Sequence, residues 1–262
     1  MGCAIADSIG RFERFETFER FEKLAESGYF ERSKALLGET AMKRLAEARV
    51  LVVGVGGVGS WCAEALVRTG LGHITLMDDD VVAESNVNRQ CPATAATAGR
   101  PKVEAMAERL MAINPVADVV GKFERFEKFE KFEKFDVVVD AIDSVDCKAE
   151  LILGATEAGV PIVSSMGAAL RIDPTKVKVT RFEKVEGDGL ARALRQRFKK
   201  LNRFPVAKFS CVWSTEQAHE NQTLKHSNTQ TISKGSLMPV TATFGMCLAS
   251  EAIKILTKGE TR

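Results

Sequence analysis

The sequence predicts an α/β fold, a mostly parallel sheet with helices on both faces and a less regular second half. Three observations lead there. Short apolar runs alternate with helix-length segments, the pattern of parallel strands joined by crossover helices. A glycine-rich turn lies directly between the first such run and the helix after it. The chain has 262 residues, 45% hydrophobic and 27% charged, which is enough apolar matter for a large core and too much charge for a membrane bundle.

Residues 49–53, Arg-Val-Leu-Val-Val, read as a buried strand, and residues 60–69 as a helix stopped by Gly70. A second strand covers 73–77, and a helix over 102–113 ends at Asn114-Pro115. Strand 136–140, helix 148–158, the Gly159-Val-Pro break and strand 162–164 repeat the unit. Beyond them come a basic helix near 190–201, a strand around 209–213, a polar loop over 217–236 and a last helix from 243 to 256. No hinge of Pro, Gly and Ser divides the chain, so it reads as an N-terminal extension over 1–28 followed by a single domain over 29–262. No apolar run approaches about 18 residues, so no helix is expected to span a membrane.

Two tracts differ from the rest: Phe recurs at every third residue over 11–22 and again over 122–135. On a helix of 3.6 residues per turn this spacing drifts by about 60° per step, so the rings spiral around the cylinder. Such segments are expected to pack poorly, as replaced or engineered low-complexity sequence without a catalytic role; amphipathic membrane or partner helices are the alternative. The start Met-Gly-Cys-Ala-Ile-Ala has the glycine of a myristoylation signal but Ala6 where Ser or Thr is wanted. Six cysteines, at 3, 62, 91, 147, 211 and 247, form no C-x-x-C pair, so neither a zinc ribbon nor a disulfide framework is expected. The thiols read as reduced and the chain as cytoplasmic. Lys+Arg 37 against Asp+Glu 35 gives a net charge of +2, which excludes a histone-like polycation.

The turn Gly54-Val-Gly-Gly-Val-Gly59 matches G-x-G-x-x-G in the strand-to-helix context that gives the motif meaning, and makes the expected sheet Rossmann-like. Without side chains at Gly54, Gly56, Gly57 and Gly59 the backbone can approach a phosphate, stabilised by free N–H groups and the helix N-terminus. Asp78 ends the next strand, where its carboxylate would take ribose hydroxyls. The run Asp78-Asp79-Asp80 leads on to Asn86, Arg89 and Lys102, an order that suits a triphosphate better than a hydride carrier. Arg89 offers a planar fork to phosphate oxygens, and Lys102 a point charge at a helix start. Asp143 follows the 136–140 strand, hence lies at the carboxyl edge of the sheet, where it could hold Mg²⁺.

Taken in order, G-x-G-G-x-G, L-x-D-x-D, S-N-x-x-R-Q, G-x-P-K and D-x-x-D-[SN] run from Gly54 to Ser144. This resembles the adenylating proteins related to ubiquitin-activating enzymes and to the thiamine and molybdopterin biosynthesis adenylyltransferases. The segments Tyr29 to Glu39, Ser164-Ser-Met-Gly-Ala-Ala169, Ile172-Asp-Pro-Thr175, Cys211-Val-Trp-Ser-Thr-Glu216 and Pro239 to Gly245 narrow the resemblance to the tRNA threonylcarbamoyladenosine dehydratase branch. The resemblance implies ATP held by the glycine loop, Asp78, Asp80, Ser85, Asn86, Arg89, Lys102, Asp143 and Ser144, with Mg²⁺ on Asp143. It implies catalytic work for Arg89, Lys102 and Asp143, and an Arg32 that reaches the nucleotide of a partner subunit in a homodimer. Dehydration of the modified adenosine through an acyl-adenylate is the implied activity, and a sulfur-carrier or cysteine desulfurase system a possible associate. The chain departs from the branch where the 122–135 tract replaces a longer segment with its own strand and helix, and at Leu170, where many relatives carry a polar residue.

The competing enzyme reading uses the same ATP site to activate the C-terminal carboxylate of a small ubiquitin-like or sulfur-carrier protein; the missing C-x-x-C pairs argue against it. A pure binding platform and a dinucleotide oxidoreductase fit less of the motif series. Cys211 reads as a small apolar strand residue. Arg192, Arg195, Arg197, Lys199, Lys200 and Arg203 crowd one helical segment with no acid between them. They read either as a tRNA-contacting face or as a solvated face over inward-turned Leu194, Phe198 and Leu201.

Overall fold

The computed structural model describes residues 28–127, 131–220 and 234–258. Two short helices come first, α1 (Glu31–Leu37) and α2 (Glu39–Glu47). Helix α1 buries none of its side chains, whereas α2 buries Met42 and Leu45. Then follow β1 (Arg49–Val53), α3 (Gly59–Thr69), β2 (His73–Met77), α4 (Lys102–Ile113), β3 (Asp118–Lys122) and β4 (Val137–Asp140). The rest is α5 (Val145–Glu157), β5 (Ile162–Ser165), β6 (Val177–Arg181), α6 (Gly189–Leu201), β7 (Ser210–Ser214) and α7 (Met238–Thr257).

The seven strands form one sheet in the order β3-β2-β1-β4-β5-β7-β6, all neighbours parallel except β6 against β7. The apolar runs in β1 and β4 are continuous because both faces of a parallel sheet are covered. Val50, Val52, Ile74, Leu76 and Val139 pack with Leu66, Met106, Phe244 and Leu248 on one face. Leu51, Val53, Val138 and Ile162 pack with Leu151, Ile152, Leu194 and Phe198 on the other. Strand order reverses between β1 and β4, and a crevice at the carboxyl ends of the strands belongs at that point. Gly70 ends α3 with φ of 113°, a left-handed cap that glycine adopts freely.

Three expectations change. The 122–135 tract is not uniformly ill-packed, because Phe126 and Phe132 are buried in the core beside α5. Among its described residues the helical element is a short 3₁₀ turn, Phe132–Lys134; Phe126 and Phe132 find separate places in the core and Phe123 stays exposed. The 11–22 tract and the first residues lie outside the described residues, as does most of the polar loop. Helix α7 begins five residues before the expected 243 because Pro239 sits in its first turn, where a missing N–H costs nothing. At 20 residues with mean hydropathy 1.3, α7 is long and apolar enough to cross a membrane by length and composition, contrary to the sequence expectation. In this fold it is a core helix, laying Val240, Phe244, Leu248 and Ala252 against α3 and the sheet.

Candidate nucleotide site

The turn between β1 and α3 is shaped by contacts that exclude side chains. Gly54 has φ of 91°, and a Cβ there would lie 2.6 Å from the carbonyl oxygen of Ala141, in the loop after β4. A Cβ on Gly59 would collide with the Gly54 carbonyl oxygen. Gly56 borders open space, which leaves its backbone approachable. The stem of Arg89 crosses Gly57, where a Cβ would come within 3.2 Å of the arginine Cγ, and Thr241 of α7 closes the same spot. Thus the glycine turn, the Arg89 segment, the β4 loop and the start of α7 meet at the carboxyl edge of the sheet.

Asp78 is engaged in holding that turn. One of its carboxylate oxygens accepts from Val55 N–H at 2.6 Å and the other from Asp80 N–H at 2.9 Å. Burial pushes the Asp78 carboxyl above its ordinary range, against the pull of Lys102 and the two amides. Lys102 is buried and pairs with Asp80 at 2.6 Å, with Asp78 at 3.7 Å, so its ammonium is not the open point charge its place at a helix start suggests. Ser85 and Asn86 lie in a short turn, Glu84–Asn86, whose Asn86 side chain accepts from Ala83 N–H at 3.0 Å. The Arg89 guanidinium donates to the Ser85 carbonyl at 2.9 Å and to Asn88 Oδ1 at 2.8 Å, while Trp61 Nε1 donates to the Arg89 carbonyl at 2.9 Å. Asp143 is exposed in the loop after β4, and Ser144 stands at the N-cap position of α5 without a capping side-chain hydrogen bond. The carboxylates that could together hold a cation among the described residues are those of Asp78, Asp79 and Asp80, not a group around Asp143.

Sequence reasoning missed what lies under the β4 loop. Asp140 and Lys148 are both fully buried and paired at 2.8 Å. Ser164 Oγ donates to Asp140 at 2.6 Å, and the Lys148 ammonium donates to the Ile142 carbonyl at 2.8 Å. Burial drives the Asp140 carboxyl upward while Lys148 and Ser164 oppose it. This network ties the backbone just before Asp143 to α5 and β5. The one signal in sequence was Asp140 itself, the first carboxylate of the D-x-x-D motif.

The remaining expected residues are distributed elsewhere. Arg32 is exposed on α1. On α6, Arg192, Lys199 and Lys200 are exposed. Arg195 instead donates to the Phe182 and Val185 carbonyls at 3.0 and 2.7 Å and stacks 4.9 Å from the Phe182 ring. Arg197 pairs with Asp146 at 2.9 Å, and Arg203 pairs with Glu150 and Glu157 at 3.1 and 2.9 Å. These three cations therefore serve the fold, and acids brought in from α5 offset the charge that looked unopposed along the helix. Cys211 is buried, and burial pushes its thiol up, as fits an apolar strand residue. Cys62, Cys91, Cys147 and Cys247 are likewise unpaired thiols.

Residues 30–262 match the ThiF family. The chain belongs to that family. Among its ThiF-family relatives is the tRNA threonylcarbamoyladenosine dehydratase of Escherichia coli, 39% identical over 86% of this chain and 92% of that protein. The Bacillus subtilis dehydratase of the same name is 39% identical over 65% of this chain and 69% of its own length. A solved structure of the E. coli dehydratase in complex with ATP superimposes with a TM-score of 0.78, covering 88% of this chain and 95% of that one. The ThiF-family fold and the glycine turn at its sheet edge thus agree.

Proposed function

We propose that the chain is an ATP-dependent dehydratase of threonylcarbamoyladenosine in tRNA, working in the cytoplasm as a single adenylating domain from residue 29 onward. The observation that carries this reading is the meeting of the glycine turn, Asp78 and Arg89 at the strand-order reversal, in a chain so similar to dehydratases over nearly their whole length. A carboxylate cannot expel oxide. Its oxygen attacks the α-phosphate of ATP, the bond to the bridging oxygen breaks, and pyrophosphate leaves an acyl-adenylate. A nucleophile within the same modified group then attacks the acyl carbon, and AMP departs with the oxygen, so the net loss is one water. No protein nucleophile is required, consistent with the buried, inert Cys211.

In this reading the amides of the glycine turn and the guanidinium of Arg89 hold the phosphates, and Asp78 takes the ribose. Ser85, Asn86 and Ser144 line the nucleotide. Lys102 exchanges part of its pairing with Asp80 for a phosphate oxygen. Asp143 is a single exposed carboxylate, a donor that suits Mg²⁺ sharing phosphate oxygens and water, and the ion would neutralise charge on the triphosphate. Arg32 acts across a homodimer on the nucleotide of the other subunit. Activation of a small carrier protein has less support, because the more similar relatives are dehydratases. A sulfur-carrier or cysteine desulfurase partner would be an accessory to the same chemistry.

Incubating the purified protein with ATP, Mg²⁺ and tRNA with or without the modification, then separating nucleosides by mass, tests the reading. AMP and a nucleoside lighter by one water are expected with modified tRNA only; AMP release independent of the modification would overturn it. Mixed dimers of Arg32→Ala and Asp143→Ala subunits should regain activity through one intact composite site, and no gain over either parent would place Arg32 in cis.

A further inference from the structure

Arg171 is 5% exposed, yet among the described residues its Nε has no hydrogen-bond partner, and its guanidinium makes one long 3.4 Å hydrogen bond, to the Leu170 carbonyl. Among the described residues no carboxylate pairs with it. The adjacent one, Glu216, is committed to the amides of Ile172 and Asp173 and to His219. Nor does the following sequence supply another, since no Asp or Glu occurs between Glu220 and Glu251. A buried cation without a counter-charge is costly, and folded proteins pair such groups.

Its location bears on what completes the pair. Arg171 lies in the loop after β5, the strand beside β4, at the carboxyl edge of the sheet. Leu170 N–H donates to the Gly235 carbonyl at 2.8 Å, and the next residue, Ser236, accepts from Asn88 Nδ2 at 3.0 Å. Asn88 Oδ1 in turn holds Arg89, whose stem crosses Gly57 of the glycine turn. Leu170 itself has φ of 61°, a left-handed backbone that leucine rarely adopts, so the loop is held in place against its own preference. The loop that carries the arginine is thus tied, through Gly235, Ser236 and Asn88, to the segment that places Arg89 over the glycine turn.

Resting on the function proposed above, we propose that Arg171 receives an anionic oxygen group of the incoming RNA substrate, either the carboxylate to be adenylated or a neighbouring phosphodiester. The physical need is plain: an anionic acyl group brought to a triphosphate is repelled, and a guanidinium that forks two hydrogen bonds to it offsets the repulsion.

The test uses the full chain as wild type, Arg171→Met and Arg171→Lys. Met keeps an unbranched apolar stem of similar bulk and removes the guanidinium with its charge and donors. Its melting temperature is expected to equal or exceed wild type, and ATP binding to be unchanged. Affinity for modified tRNA should fall about 10- to 100-fold, the usual weight of hydrogen bonds to charged groups, with Lys recovering part. A loss confined to modified tRNA assigns the carboxylate; an equal loss with unmodified tRNA assigns the phosphodiester. In parallel, N-carbamoylthreonine or inorganic phosphate should raise the melting temperature of wild type and not of Arg171→Met. That arm survives even if the wild type fails to turn over tRNA, which would overturn only the function. A Met variant that melts earlier, or one with unaltered tRNA binding, overturns the role of Arg171.

Discussion

Glu64 is buried on α3 and accepts from Arg109 at 2.6 and 3.2 Å, from Arg68 at 2.8 Å and from the Cys91 thiol at 2.7 Å. Burial pushes its carboxyl up, but Arg109, Cys91 and Arg68 together outweigh that and hold it at about 2, below the ordinary 4.5. A depressed carboxylate contributes stability that is complete above its unfolded pKa and is lost as pH falls through the folded one. Glu64→Gln should therefore cost about 1–3 kcal/mol at neutral pH, with the gap to wild type closing between pH 4.5 and about 2 in chemical denaturation. A pH-independent gap would mean that shape rather than charge matters there. Asp143 is the opposite kind of residue, exposed and outside the core. Asp143→Ala should leave the melting temperature unchanged and reduce AMP formation by about 10²–10³, the usual cost of removing a charge-stabilising group at such a centre. What sequence could convey follows the same division. The motif series pointed to the exposed and turn-bound groups, whereas the pairing of Lys102 with Asp80 and the isolation of Arg171 depend on which residues fold together, and no spacing rule contains that.

Among the elements, β1, β2, β4 and β5 were legible because central parallel strands are apolar throughout, and α4 because Pro101 and Asn114 mark its ends. Strands β3 and β6 were not, since Asp118-Val-Val-Gly-Lys122 and Val177-Lys-Val-Thr-Arg181 are half-exposed edges with mixed composition. Helix α6 shows the limit of charge counting. Its five cations and Arg203 just beyond it are alike in sequence, but Arg195, Arg197 and Arg203 are spent on carbonyls and acids of neighbouring elements. Only Arg192, Lys199 and Lys200 remain as candidates for phosphate contact. Neutralising those three should weaken tRNA binding and lower the salt slope by about 0.7–0.9 per lost contact, read from affinities across a salt series. Arg195→Ala should instead destabilise the protein while leaving that slope alone. An unchanged slope in the triple variant would make the face merely solvated.

At the scale of the whole molecule, the described part of the link from β3 to β4 fills part of the core with Phe126 and Phe132. Phe132 lies so close to Gly154 of α5 that a Cβ there would be 2.6 Å from the ring. Phe132→Ala should cost about 3–5 kcal/mol by leaving a cavity, measured by chemical denaturation, whereas Phe123→Ala on the surface should stay within about 0.5 kcal/mol. Equal, small effects would show that the tract is dispensable for packing.

Among the described residues the sheet is open at both margins, with β3 paired only to β2 and β6 only to β7. Asp118 stands exposed and charged along one margin, and Lys178 and Arg181 along the other. Charges so placed oppose strand addition, because a copy seated against either margin would have to desolvate them. Edge-to-edge laddering of crowded copies is thereby disfavoured, and a face built of helices and loops is left as the less costly place for one subunit to meet another.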